Sequence, residues 1–322
     1  LSQFNIFIKD SIVESPAGIG IPEPLDHPSF NHIRIVRPRG MDTIGSNVST
    51  TGICIQLKML FQQKHMFLTP RLNVVIPCNS PWILPKVKHG YTVCQSIADY
   101  YKNRYGVNLG VVRNMPSYKS LEDIPSTEIQ SISLAIPLDK KIILYQGAVN
   151  VGRGVEWIID AMPYVREDAI FVVAGKGDLY EELKTKANDR IIFLGHIPYA
   201  ELASITKHAA IGVCLLKNQG LSYYYALPNR VFDMIQCHVP LLATDFPEIR
   251  RIVATHETGK LISDYSPKAL AETINSMLDE PIDHDKFSRL AEELCWEKEE
   301  EKLKAIYEAA VRRHTMSSAD KI

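Results

Sequence analysis

From residue 140 onward, short and nearly unbroken apolar runs alternate with stretches whose apolar residues recur at helical spacing. KIILYQG (141–147) predicts a strand, and Val155, Ile158, Ile159 and Met162 predict the helix that follows it. AIFVVAGKG (169–177) predicts a second strand ending in glycines, with DLYEELKTKAND (178–189) as its helix. RIIFLG (190–195) is the third strand, Leu202, Ile205 and Ala209 mark a helix, and AIGVCLL (210–216) is the fourth strand. NRVFDMIQCH (229–238) predicts a helix beginning after Pro228, and VPLLATD (239–245) gives the fifth strand. Apolar runs without alternation belong to strands covered on both faces, so the β-then-α repetition predicts an α/β protein with a parallel, doubly wound sheet. Such sheets take ligands at the C-terminal ends of their strands. Here those ends are Gly147, Gly175 with Gly177, Gly195, and the stretch 217–229.

The pattern is weaker before residue 140. QLKMLFQQ (56–63) reads as a helix, LNVVIP (72–77) and YTVCQ (91–95) as strands, and GVVRN (110–114) as a final strand. SIADYYKNRYG (96–106) reads as a helix capped by Ser96 and ended by Gly106. Segments 16–28 and 40–52 show no period, and the polar stretch 117–139, with Pro125 and Pro137, reads as a link. The expected organisation is a short or incomplete N-terminal lobe over 1–119, a linker over 120–139, a second lobe over 140–290 and a C-terminal helical segment over 291–322.

The length of 322 residues suits two lobes with a cleft between them, and 46% apolar with 23% charged residues excludes a disordered or collagenous chain. A net charge of −1 hides an asymmetry: residues 1–119 carry 13 Lys/Arg and 6 Asp/Glu, leaving the remainder acidic. A basic first lobe suits an anionic acceptor, a phosphorylated lipid or a membrane surface, or is simply a solvated face. The six cysteines are scattered without CxxC pairs or zinc-ligand spacing, which predicts reduced thiols and no metal site. No apolar stretch reaches membrane-spanning length, so a soluble protein is expected. The chain opens on Leu1 rather than Met, which leaves open a preceding segment and any targeting signal it carries.

Candidate chemistry gathers in the strand-end loops. In GAVNVGRG (147–154), Arg153 sits where a strand gives way to a helix and could hold two oxygens of a diphosphate, or pack on its neighbours. Lys176, between two glycines, is either a second phosphate contact or a solvated turn lysine. GHIP (195–198) could present backbone to a base, with His196 in contact or merely exposed. The fourth loop, LSYYYALPNRVFDMIQCHVP (221–240), sets Asn229 and Arg230 at a helix start with Asp233 one turn in. Arg230 and Asp233 are spaced for a surface ion pair. Alternatively, Asp233 accepts ribose hydroxyls while Arg230 or Asn229 touches phosphate. GxGxxG, an acid after the second strand and GxxxxGK[ST] are all absent, which argues against a nicotinamide dinucleotide and a P-loop.

QGAVNVGRGVEWIIDA, FVVAGKGDLYEELK, RIIFLGHIP and ALPNRVFDMIQCHVPLLATD, in this order, resemble the nucleotide-sugar-binding lobe of retaining family-4-type GT-B glycosyltransferases (glycosyl transferases group 1). The likeness is to the branch with a Pro-Asn-Lys/Arg segment. It extends over about 90–310, with 93–116 similar to the end of the first lobe and 295–310 to the final helix. The resemblance implies a GT-B-like fold, two Rossmann-like doubly wound lobes facing a cleft, with the C-terminal helix crossing back to the first lobe. It also implies transfer of a sugar from a UDP- or GDP-linked donor to a polysaccharide or lipid-linked acceptor, with retention, without metal or other cofactor. Arg153 and Arg230 would serve the diphosphate as the catalytic pair. Gly147, Ala148, Gly154, Lys176, His196, Ile197, Leu227, Pro228, Asn229 and Asp233 would line the donor site, Asp233 binding the ribose. Expected partners are the nucleotide-diphosphate sugar, a glycan or lipid-linked acceptor and peripheral membrane contact through the basic lobe, with no nucleic acid. The expected location is cytoplasmic, at the inner face of the cell membrane. Three departures stand out: Tyr225 replaces the first acid of the usual pair, Ala148 stands where Arg is common, and residues 1–90 lack the family's glycine-rich opening loop and catalytic His. A sugar-nucleotide epimerase or hydrolase, and a donor-binding partner without activity, remain as alternatives.

Overall fold

The computed structural model describes residues 89–124, 136, 137 and 139–319, with side chains as far as residue 309. The elements expected at 56–63 and 72–77, and the aperiodic segments 16–28 and 40–52, lie outside these residues. The described chain forms two compact units: 89–113 with 220–222 and 300–319, and the remainder from 114 to 299.

In the first unit, β1 (Tyr91–Thr92) and β2 (Gly110–Val111) pair in parallel across α1 (Gln95–Tyr105). Helix α1 buries Ile97, Ala98 and Tyr101 and ends at Gly106, whose φ of 68° lets its N–H return to the Lys102 carbonyl at 2.9 Å. The expected Ser96 cap is corrected. The backbone is extended at Cys94, which is fully buried, so the helix begins at Gln95 and Ser96 lies within its first turn. Both strands are shorter than the runs that predicted them, two residues each.

The second unit holds six parallel strands: β3 (Lys141–Gln146), β4 (Ala169–Ala174), β5 (Ile191–Gly195), β6 (Ala209–Cys214), β7 (Leu241–Thr244) and β8 (Gly259–Ile262). Their order is β5-β4-β3-β6-β7-β8. Between them run α2 (Val155–Ala161), α3 (Tyr180–Lys184), α4 (Tyr199–Thr206), α5 (Leu221–Tyr224), α6 (Arg230–Gln236) and α7 (Pro247–Val253), and α8 (Pro267–Met277) follows β8. Helices α9 (His284–Glu293) and α10 (Trp296–Ala319) follow, α10 passing into the first unit at residue 300.

Side chains alternate across β3. Ile142 and Leu144 join a core with Phe232, Ile249 and Phe287 from α6, α7 and α9, whereas Ile143 and Tyr145 join Ile158 and Ile274 from α2 and α8. The sheet is therefore covered on both faces, as its unbroken apolar runs require.

Four expectations change. The helix predicted over 178–189 spans only Tyr180–Lys184, because Thr185 donates its hydroxyl to the Glu182 carbonyl and Asn188 exchanges backbone bonds with Ile191. Ala209 opens β6 instead of closing a helix. The helix predicted over 229–238 stops at Gln236, and His238 takes a positive φ of 56°. Residues 114–124, expected as the end of the first lobe to 119 and the start of the linker from 120, pack into the second unit: Ile124 is buried, its carbonyl accepts from Lys207 at 2.6 Å, and the Lys119 N–H donates to Gln236. Among the described residues no helix is long and apolar enough to cross a membrane.

Candidate active site

Strand order reverses between β3 and β6, since the chain builds outward from β3 through β4 to β5 and then returns to its other side. The crevice outside the C-terminal ends of such a pair is where doubly wound sheets bind ligands. Backbone bonds tie the loops there together: Gly147 N–H to Ala174 (2.9 Å), Val149 N–H to Lys176 (3.1 Å), Gly175 N–H to Gly195 (2.7 Å) and Lys217 N–H to Gly152 (2.9 Å). Two glycines permit this closeness. Gly175 (φ 150°) has no room for a Cβ beside the Gly147 carbonyl, and a Cβ on Gly147 (φ 126°) would come 3.2 Å from the Arg230 guanidinium.

Arg230 opens α6 and is only 8% exposed. Its guanidinium lies 4.5 Å from the centroid of the fully buried Tyr145 ring, and Nη2 donates to the Tyr145 hydroxyl at 3.4 Å. That hydroxyl in turn donates to the Ala148 carbonyl at 2.6 Å. Nη1 is buried with no hydrogen-bond partner, and Arg230 forms no ion pair among the described residues. A buried cation without a counter-charge is costly by several kcal/mol, so such groups normally find an anion.

Arg153, from the loop before α2, is half-buried and stands 5.4 Å from the Tyr223 ring centroid, with a buried and unpartnered Nε. Both arginines act on Cys214 at the end of β6: burial pushes its thiol pKa up, and the charges of Arg230 and Arg153 pull it back. Geometrically, Arg153 belongs to the loop after β3, and Arg230 approaches the first residue of that loop, Gly147. Because α2 and α6 have only seven residues each, the anion-binding character rests on these guanidinium groups rather than on helix dipoles.

Asp233, one turn into α6, faces β3 instead of pairing with Arg230. Its Oδ2 accepts from Gln146 at 3.1 Å and its Oδ1 from the Tyr199 hydroxyl at 3.2 Å. Gln146 is itself fixed, its Oε1 accepting from Thr206 at 2.8 Å. Burial pushes the Asp233 carboxyl up to about 6, against the lowering effects of the Tyr199 and Gln146 hydrogen bonds and the Arg230 charge. The ion pair that i, i+3 spacing suggested is absent.

The other predicted residues line the same strand ends less intimately. Gly147 and Ala148 are exposed, and Gly154 precedes α2. Lys176 is exposed, its ammonium 5.7 Å from the Tyr180 ring, and makes no hydrogen bond with the arginine pair. His196 is exposed and Ile197 packs on the core. Leu227 and Pro228 are half-buried, and Asn229 precedes α6 without a capping side-chain bond, its carbonyl accepting from Phe232 and Asp233. Sequence reasoning missed Tyr145, Gln146, Tyr199 and Tyr223. The one available signal was Gln146, an amide closing an apolar strand. Among the described residues no cluster of three His, Cys, Asp or Glu could hold a metal ion.

With this geometry in view, the comparisons place the molecule. Residues 140–280 match the family described as glycosyl transferases group 1. A phosphatidyl-myo-inositol mannosyltransferase of Mycobacterium leprae is 28% identical over 145 residues, covering 43% of this chain and 37% of that protein. A glycosyltransferase from Rickettsia africae superposes with a TM-score of 0.61 at 13% identity, over 73% of this chain and 68% of that one. The Anabaena protein HepE in complex with UDP superposes with a TM-score of 0.50 at 16% identity, over 70% and 63%. The chain spans only 37–38% of the length of the mannosyltransferase and of two other curated relatives it matches. The fold is thus the α/β, GT-B-like plan of glycosyltransferases.

Proposed function

We propose that the protein is a retaining glycosyltransferase that moves a sugar from a UDP- or GDP-linked donor to a glycan or lipid-linked acceptor. The observation that carries this reading is Arg230: a buried guanidinium at the sheet's switch point, with an unpartnered Nη1 and no carboxylate paired to it. Such a group fits a pyrophosphate, whose oxygens would complete its hydrogen bonds. Arg153 adds a second cation. As the sugar–phosphate bond breaks, negative charge grows on the leaving diphosphate, and fixed cations in a low-dielectric crevice stabilise it without metal or other cofactor. Asp233 orients the ribose, with Gln146 and Tyr199 holding its carboxylate in place. Gly147 and Ala148 bring backbone to the phosphates, while Lys176, His196, Ile197, Leu227, Pro228 and Asn229 form the rim. The basic N-terminal lobe takes the acceptor at the cytoplasmic face of the membrane. HepE, of similar fold, binds UDP, which supports a uridine donor.

Thermal shift against UDP, GDP and ADP tests site and base together, because a ligand at about 100 times its Kd adds roughly 2.7 kcal/mol to stability. Product analysis then decides the chemistry. Sugar moved to an acceptor is expected; donor hydrolysis or epimerisation without acceptor, or binding with no turnover, would replace the transferase reading.

A further inference from the structure

Both unpaired arginines share a feature that no general fold requirement explains: each guanidinium lies against an aromatic ring. Arg230 sits 4.5 Å from Tyr145 and Arg153 sits 5.4 Å from Tyr223. Resting on the pyrophosphate reading above, we infer that Tyr145 and Tyr223 are positioning residues, holding two cations in place without neutralising them, so that the pocket selects a nucleoside diphosphate over the monophosphate.

The reasoning is electrostatic. A carboxylate would aim an arginine as well as a ring does, but it would cancel the charge a diphosphate needs. A ring face attracts the cation through its quadrupole and carries no net charge. No carboxylate occupies either fork, so N–H donors remain for phosphate oxygens. Consistent with this, each arginine keeps a buried N–H unpartnered: Nη1 of Arg230 and Nε of Arg153. Tyr145 is anchored further, because its hydroxyl reaches the Ala148 carbonyl at 2.6 Å and so ties Arg230 to the loop expected to meet the phosphates. Tyr223, half-buried on α5, meets Arg153 through its ring alone, from the loop after β6. Two cations held so can engage two phosphate groups, whereas a monophosphate supplies one.

The test titrates wild type, Tyr223→Leu, Tyr223→Phe and Tyr145→Phe with UDP, UMP and uridine, and with the guanosine series in parallel. Tyr223→Leu is expected to weaken diphosphate binding about 3- to 30-fold, monophosphate binding less and nucleoside binding not at all, so the diphosphate-to-monophosphate ratio falls. Tyr223→Phe restores that ratio, since its ring face is intact, and Tyr145→Phe, which keeps the ring but loses the hydroxyl tie to Ala148, lowers it less than Tyr223→Leu does. A residue that only supports the fold would weaken all three ligands by one factor. An unchanged ratio in Tyr223→Leu, or Tyr223→Phe no better than Tyr223→Leu, overturns the inference. If Tyr223→Leu does not fold, Tyr223→Met carries the same readout. Arg153→Ala separates the two levels. If it lowers the ratio while Tyr223→Leu does not, only the aromatic role falls; if wild type binds no nucleoside diphosphate, the pyrophosphate reading falls and takes this one with it.

Discussion

The two ends of the six-stranded sheet treat arginine in opposite ways. At the end where β4 and β5 begin, Arg190 is well partnered: it donates to the carbonyls of Ala169, Val165 and Arg166 and pairs with Glu167 at 3.0 Å. Arg166 beside it pairs with Asp168 and Asp279. At the end where β3 and β6 finish, Arg230 and Arg153 meet tyrosine rings and leave N–H groups without partners. The first pair staples loops, and its charge is answered by carboxylates. The second pair keeps its charge, which stability alone would not favour and a bound anion would.

This contrast separates stability from turnover, and substitutions at the two ends can break it. The largest effect is expected at the functional end. Arg230→Ala or Arg153→Ala should lower sugar transfer by roughly 10²–10³-fold, about 3–4 kcal/mol of transition-state stabilisation, as measured by initial rates at saturating acceptor. Wild-type rates in both variants would erase the distinction. Next comes Arg190→Ala, expected to cost about 2–3 kcal/mol of folding stability in denaturant melts by orphaning carbonyls it now satisfies, with donor affinity unchanged.

A smaller, pH-dependent effect belongs to Asp233. Its folded-state value of about 6 lies above the ordinary 3.8, so the folded protein holds this proton more tightly than the unfolded chain does. Its contribution therefore favours the fold at low pH and declines as pH rises from about 4 through about 6. The melting temperature of Asp233→Asn relative to wild type should accordingly climb across that window, while wild-type nucleotide affinity rises as the carboxylate ionises. A flat difference from pH 4 to 7 would remove the shifted carboxyl from the picture. Least affected should be Arg166→Ala, whose partners are largely solvated. Its melting temperature should fall less than that of Arg190→Ala, with transfer rates unaltered.

The sheet was legible because β3 and β4 are unbroken apolar runs, and only strands covered on both faces tolerate that composition. Strand β8 was not, because GKLI is short, carries Lys260 and remains half-exposed along most of its length. The helix at 178–189 was overcalled because periodicity does not register the side-chain and backbone bonds of Thr185 and Asn188 that turn the chain early. At the site, Arg153, Arg230 and Asp233 stood out because charge beside a strand end is visible in one dimension. Tyr145 was invisible, since a tyrosine inside KIILYQ has the pattern of any core aromatic, and its tie to Arg230 spans 85 positions. Tyr199 gains its role only from the distant Asp233 carboxylate, whereas Gln146, on the other oxygen of that carboxylate, carried the weak signal of an amide closing an apolar strand.

Calorimetric titration of UDP and GDP into wild type and Arg230→Met addresses the buried cation directly. Wild type should bind one of the two diphosphates, and Arg230→Met should remain folded yet lose at least tenfold in affinity, with the corresponding nucleoside little changed. Equal diphosphate affinity in the two proteins would mean that the unpaired guanidinium at the start of α6 does not receive the pyrophosphate.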